Sequence, residues 1–232
     1  MGPVDGSIIG KFLLSMIALI FSLSVHESAH AWMSNRFGDD LARLQGRITL
    51  NPVAHVDPIG TLLLPAIAFF TNIPVIGWAK PTPVNPLKWR NKRVANFWVS
   101  IAGVLCNFIL AIIAGAAIRL LYEFNLVDLL PMSYRIIVIP HSTSPIAEGA
   151  GLLLSIFFSL NFALGIFNLI PIPPLDGSKV LASIMPPSFE PGFEALERFG
   201  FILLILAMFT GVFGFIFSIF MPIGIKLVLI GA

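Results

Sequence analysis

The sequence predicts an all-α polytopic membrane protein: a core of three long helices, a re-entrant or short-strand segment, and a C-terminal helix or hairpin. Three observations carry that prediction. The 232 residues are 57% hydrophobic and 11% charged, with a mean hydropathy of +0.93, whereas ordinary globular domains are about 25% charged. The apolar residues are gathered into runs of roughly twenty or more, long enough as helix to cross a bilayer's hydrocarbon. Between the runs stand Pro, Gly and charge clusters of the kind that end helices. A net charge of +2 points away from nucleic acid as a partner, and a single cysteine excludes an internal disulfide or a cysteine-based metal cluster.

In chain order, a short Gly- and Pro-containing tail (1–7) leads into the first span, 8–36. Lys11 ahead of an apolar run resembles a signal peptide, but the run continues to about Asn35, so the segment is expected to be retained. Phe37-Gly38-Asp39-Asp40 ends it with turn chemistry. A polar connection follows over 39–57, and Arg47-Ile48-Thr49-Leu50 and Pro83-Val84 read as short strands. Residues 58–76 are apolar but interrupted by Gly60, Pro65 and Pro74, which suits a re-entrant segment or short hairpin better than a full span. Residues 77–86 are too proline-rich for helix and precede the basic run Lys88, Arg90, Lys92, Arg93.

The second core helix is expected over 94–121, with Gly103 and Asn107 four apart in its interior, and 122–149 reads as a short polar loop. The third, 150–184, is broken by Pro171, Pro173 and Pro174. A Pro-rich, charged connection then leads to 199–231, one long helix or a tight hairpin around Gly211, Gly214 and Pro222. The whole of 1–232 reads as one membrane-embedded domain without internal repeats.

Charge orients the chain. Of the 14 Lys and Arg residues, eight lie between Arg36 and Arg93, whereas loop 122–149 holds only Arg135 against Glu123, Asp128 and Glu148. The positive-inside rule puts 36–93 in the cytoplasm and 122–149 outside. Segment 58–76 must then cross an even number of times. The first and third core helices become parallel, with their polar motifs toward the cytoplasmic side of the cell (inner) membrane.

Those motifs hold the candidate chemistry. In His26-Glu27-Ser28-Ala29-His30 the two histidines lie four apart on one helical face and can bind one ion, with Glu27 beside it to activate a metal-bound water. A catalytic zinc site usually takes a third protein ligand, and His55, Asp57, His141 and Asp176 are the candidates. His141 falls on the outer side. His55 and Asp57 lie in a connection where they suit turn structure. Asp176 sits where prolines unwind a membrane helix, a place tolerated only beside protein or a water-filled cavity, and ionisable residues at that depth point to function. Asp176 is therefore taken with His26 and His30 as the Zn2+ ligands. Asn107 and Asn168 are candidates for holding substrate backbone or the developing oxyanion, although Asn in a membrane helix also serves as interhelical glue. Cys106 reads as a small packing residue.

This H-E-x-x-H in one membrane helix, followed by Asn168-Leu169-Ile170-Pro171-Ile172-Pro173-Pro174-Leu175-Asp176-Gly177 in a later one, resembles the site-2 protease family of intramembrane zinc metalloproteases. Gly46-Arg47-Ile48-Thr49-Leu50-Asn51-Pro52, His55-Val56-Asp57-Pro58-Ile59-Gly60-Thr61 and Gly77-Trp78-Ala79-Lys80-Pro81 resemble its small prokaryotic branch, and the likeness covers about 8–185. Ala102-Gly103-Val104-Leu105-Cys106-Asn107 stands where the family has A-G-P-x-x-N, with Val104 in place of proline. The resemblance implies a zinc-dependent endopeptidase acting on transmembrane protein substrates in the lipid bilayer, with His26, His30 and Asp176 on zinc and Glu27 as general base. It also implies a member without a PDZ domain, for which loop 122–149 has no room. Two rival functions use the same residues: a membrane metal-ion transporter or channel, which would be expected to show matched repeats, and a catalytically silent helix-binding relative, which would not need Glu27.

Overall fold

In the computed structural model, residues 6–71, 73 and 77–230 are described; the expected tail through Asp5 and the end of segment 58–76 lie outside them. The order is α1 (Gly6–Arg36), α2 (Leu41–Leu44), a 3-10 turn, a π-helical turn (Pro58–Leu63) running into α3 (Leu64–Thr71), α4 (Lys92–Glu123), β1 (Val127–Pro131), β2 (Ile136–Pro140), α5 (Pro145–Leu169), α6 (Asp176–Ile184), α7 (Glu190–Arg198), α8 (Gly200–Phe209) and α9 (Val212–Leu229). Among the described residues four helices are long and apolar enough to cross a membrane: α1, α4, α5 and α9. The protein is thus a multi-pass helical membrane protein, as its composition predicts.

Helix α4 is the hub, packing on α1, α5, α6 and α9. Its buried positions, Ala95, Val99, Ser100, Ala102, Gly103, Val104, Asn107, Ala111, Ala114, Gly115 and Ile118, follow one helical face and are mostly small. Lipid offers no hydrophobic drive for helix association, so close backbone approach and dispersion must supply it, and small residues permit both. Near one end of the bundle Ala111, Ala114 and Ile118 pack with Phe158 of α5, Ile225 of α9 and the sheet residues Val127, Ile136 and Val138.

That sheet corrects the expected polar loop over 122–149. Its charges drew the reading toward loop, yet Val127 to Pro131 pair antiparallel with Ile136 to Pro140, and Val127, Ile136 and Val138 turn inward. The Val138 amide also donates to Ser155 Oγ of α5 (3.1 Å). Conversely, the strands expected at 47–50 and 83–84 form no ladder. Pro81, Pro83 and Pro86 remove the N–H groups a ladder requires.

Residues 58–71 lead away from the polar connection, and at Trp78 the chain is again beside Gly60. The Trp78 amide donates to Gly60 O (3.1 Å), while Phe69 and Phe70 reach along α1 to Phe12. A Cβ on Gly60 would lie 2.5 Å from the Trp78 ring, so only glycine lets the outgoing helix and returning chain close here. Asp57 caps the outgoing turn through the amides of Ile59 and Gly60 (3.0 and 2.7 Å). The C-terminal region resolves into two helices, α8 and α9, separated at Gly211, whose φ of 76° favours glycine.

The third core segment ends α5 at Leu169, turns through the prolines and restarts as α6 at Asp176. Gly177 makes that restart possible, since a Cβ there would meet Leu169 O at 2.2 Å. Arg93, near the start of α4, donates to the carbonyls of Ser183, Ile184 and Met185 (2.6, 2.8 and 2.8 Å), satisfying the far end of α6.

Candidate metal centre

His26 and His30 project from α1 toward α4, and their Nε2 atoms lie 3.0 Å apart. Asp176 comes from the first turn of α6, where unpaired helix N–H groups favour a carboxylate. Its Oδ2 is 3.2 Å from His26 Nε2 and 3.3 Å from His30 Nε2. All three residues are at least nine-tenths buried.

The hydrogen-bond network dictates where the ring protons sit. His30 Nδ1 lies 2.6 Å from Val99 O, an obligate acceptor, so Nδ1 carries the hydrogen. For His26 the same result follows by a longer route. Asn161 Nδ2 donates to Phe157 O (2.9 Å), which turns Asn161 Oδ1 toward Asn107 Nδ2 (3.0 Å). Asn107 Oδ1 is thereby left to accept from His26 Nδ1 (2.6 Å). Both Nε2 atoms consequently present lone pairs to each other and to Asp176 Oδ2, which makes no hydrogen bond among the described residues. Three buried acceptors this close repel unless a proton or a cation joins them. Two imidazoles and a carboxylate form a donor set suited to zinc.

Gly103 sets the depth of this nest. A Cβ on it would lie 2.6 Å from His30 Nε2 and 2.7 Å from His26 Nε2, so the rings rest directly on the α4 backbone.

One Glu27 carboxylate oxygen lies within 4.8 Å of a ring nitrogen of each histidine, so Glu27 too is within reach of an ion held there. Thr82 holds Glu27: the Thr82 amide donates to Glu27 Oε2 (2.8 Å) and Thr82 Oγ1 to Glu27 O (2.9 Å). These groups open on a cavity of about 930 Å³, lined also by Trp78, Ala79, Asn168 and Phe201.

The other residues singled out from the sequence fall elsewhere or serve the fold. His141 pairs with Asp128 on the sheet (3.3 Å), and His55 Nε2 bonds Thr49 O (2.8 Å) while burial lowers its pKa. Asn107 is wholly buried with both ends of its amide engaged by protein. Asn168 lines the cavity while Nδ2 donates to Leu164 O (3.1 Å). Sequence reasoning missed Asn161, Val99 and Thr82. Asn161 carried a signal, a polar residue inside an apolar span; Val99 acts through its carbonyl and Thr82 engages the carboxylate through its amide, main-chain groups that sequence does not distinguish.

The relay makes a prediction. Asn107→Ala removes the acceptor that fixes the His26 tautomer and is expected to weaken divalent-metal affinity about 10- to 100-fold. Asn161→Ala, one bond further out, is expected to have a smaller effect of the same sign. Competition with a chromophoric chelator measures both; equal affinities in all three proteins would rule the relay out.

The model of peptidase family M50 matches residues 14–207. The chain is similar to YwhC of Bacillus subtilis (strain 168), 37% identical over 195 residues, 84% of this chain and 80% of that protein. It is similar also to Rip2 of Mycobacterium tuberculosis (strain H37Rv), 29% identical over 197 residues, 85% of this chain and 67% of that one. Rip2 of Mycolicibacterium smegmatis is 25% identical over 204 residues, 88% and 70% respectively. Each of these relatives bears the name "Putative zinc metalloprotease". No solved structure matches.

Proposed function

The chain belongs to peptidase family M50, and on that premise we propose that it is a zinc-dependent endopeptidase hydrolysing peptide bonds within or near transmembrane segments. The observation that carries the reading is the convergence of His26, His30 and Asp176, with Glu27 alongside, in a cavity between apolar helices and the extended stretch 77–86. His26, His30 and Asp176 would hold the zinc. When bound, zinc supplies Lewis acidity, polarising a carbonyl and lowering the pKa of water from about 15.7 toward about 7. Glu27 accepts the proton of the attacking water and returns it to the leaving amine. Asn107 orients His26, and Asn168, on the cavity wall, is assigned to the substrate main chain.

The substrate must unwind to expose a carbonyl, and its freed backbone then needs partners. The extended stretch 77–85 is the proposed edge for a short strand. Its amides at Trp78, Lys80 and Thr82 already donate to Gly60, His55 and Glu27, while Pro81 and Pro83 have none. Gly77, Ala79 and Val84, which line the cavity, keep unengaged N–H groups among the described residues and are the donors a substrate strand would use. The charge distribution supports an orientation with the metal centre toward the cytoplasmic side of the cell (inner) membrane.

Zinc removal tests the reading. The full chain, reconstituted in liposomes, is expected to cleave a reporter carrying one membrane segment, to lose cleavage after chelation, and to regain it on adding one equivalent of Zn2+. Bound zinc with no cleavage, together with zinc flux across the liposome, would replace the peptidase by the transporter reading.

A further inference from the structure

We infer that Thr82 is a positioning residue for the reaction, a two-point clamp that aims the Glu27 carboxylate into the cavity. The inference rests on the peptidase reading above. A Glu side chain has three rotatable bonds, and ordering it costs up to about 2 kcal/mol of rotamer freedom. Packing alone holds such a chain loosely; a donor on one carboxylate oxygen removes most of that freedom. The Thr82 amide engages Oε2 at 2.8 Å, and its hydroxyl engages the Glu27 main-chain carbonyl at 2.9 Å, so one residue grips both ends of Glu27. Among the described residues Oε1 has no hydrogen-bond partner, which leaves one carboxylate oxygen for proton transfer and one for anchorage.

The sequence around Thr82 is built for this use. In Pro81-Thr82-Pro83 the only main-chain N–H belongs to Thr82. The prolines fix φ on both sides and leave no second donor to compete for the carboxylate. The clamp is itself anchored. Arg47, 4% exposed, donates to the carbonyls of Ala54, Lys80 and Pro81, and the Lys80 amide donates to His55 O (2.8 Å). Further along, the Asn85 amide donates to Asp39 Oδ2 (2.7 Å), and Trp89 Nε1 to Ser34 Oγ (2.8 Å), which ties the stretch to the end of α1. The main chain at 80–85 is thus fastened on both sides of Thr82, through Lys80 and Pro81 to Arg47 and His55 and through Asn85 to Asp39 just beyond α1, a rigid mount of the kind that catalytic groups need within about 0.5 Å.

The test uses the zinc-loaded full chain and a single-span reporter. Thr82→Val keeps the amide and loses the hydroxyl, and kcat is expected to fall about 5-fold; Thr82→Pro loses both donors, and kcat is expected to fall about 100-fold. KM stays within about twofold in both, zinc remains at one per chain, and Thr82→Ser restores kcat, because it retains both donors. A readout independent of turnover is hydrogen exchange. Glu27→Ala is expected to speed exchange at the Thr82 amide at least about 10-fold, a signal isolated by its two proline neighbours. Should Thr82→Pro fail to fold or to hold zinc, Thr82→Val and the exchange measurement decide. Unchanged kcat in Thr82→Val with unchanged exchange in Glu27→Ala overturns the inference, as does a loss confined to KM. A rise in kcat overturns it too, since Thr82 would then be blocking the base. If wild type itself does not cleave, the peptidase reading falls and takes this inference with it. Cleavage that depends on Glu27 but not on Thr82 sinks the clamp alone.

Discussion

Glu27→Gln is expected to lower kcat by about 10³-fold or more while the chain keeps its metal. Glutamine has the same length and shape, and its amide oxygen can still accept from the Thr82 N–H that Glu27 Oε2 engages. Its carbonyl also remains available to Thr82 Oγ1. What is lost is a group able to take a proton from water and give it to an amine. Metal analysis beside single-turnover cleavage of the membrane reporter separates the two functions. Full zinc occupancy with cleavage near zero assigns Glu27 to proton transfer; loss of zinc would make it a ligand instead. Cleavage at the wild-type rate would remove Glu27 from the mechanism altogether.

The second large effect comes from a residue with no side chain. Gly103→Ala is expected to weaken zinc binding at least about 100-fold and to abolish activity with it. On helix propensity alone the change should stabilise, by about 1 kcal/mol. Here the new methyl would stand 2.6 Å from His30 Nε2 and 2.7 Å from both Cε1 and Nε2 of His26, far inside contact distance. Neither ring can retreat freely, because His30 Nδ1 is held by Val99 O and His26 Nδ1 by Asn107. Either the rings swing and lose these bonds, or α4 moves off α1; overpacking of this kind costs about 1–3 kcal/mol. Gly10→Ala, where no atom lies within 4 Å of the added carbon, is the control and is expected to leave zinc content and turnover unchanged. Isothermal titration of the apo-proteins with Zn2+ measures the difference, and equal affinities for Gly103→Ala and wild type would mean the metal does not sit against α4.

Both effects bear on why the centre lies where three helices meet. In the proposed site α1 would supply two ligands four residues apart and the base between them, and a third ligand has to come from another segment. Asp176 would be that ligand, from the restart of a broken helix, and α4 closes the back of the site with Gly103 below the rings and Asn107 beside them. Glu27 is held from the open side by a non-helical stretch, whose amides are not consumed by helical bonding and so are free to donate to a side chain.

Much of this could be read in the residues in order. Composition and run length identify a multi-pass membrane protein, and the four-residue spacing of His26 and His30 places two imidazoles on one face before any coordinates exist. Prolines 171, 173 and 174 mark the break at which Asp176 is found. All of these are local or periodic features, and they leave a trace in composition and spacing. The features that escaped are pairings between distant segments. The sheet over 127–140 was hidden by the charges around it, and the division of 199–231 into α8 and α9 turned on one left-handed glycine among several. Asn107 carried two readings until Asn161 and Phe157 O fixed which way its amide faces. Thr82 gave no signal, because its contact with the carboxylate uses a backbone N–H that nearly every residue possesses, and its hydroxyl meets a main-chain carbonyl of a segment 55 positions away. Spacing along one helix names the ligands that share a face; where lone pairs converge, and which amide reaches a carboxylate 55 positions away, depends on packing between segments that no local pattern encodes.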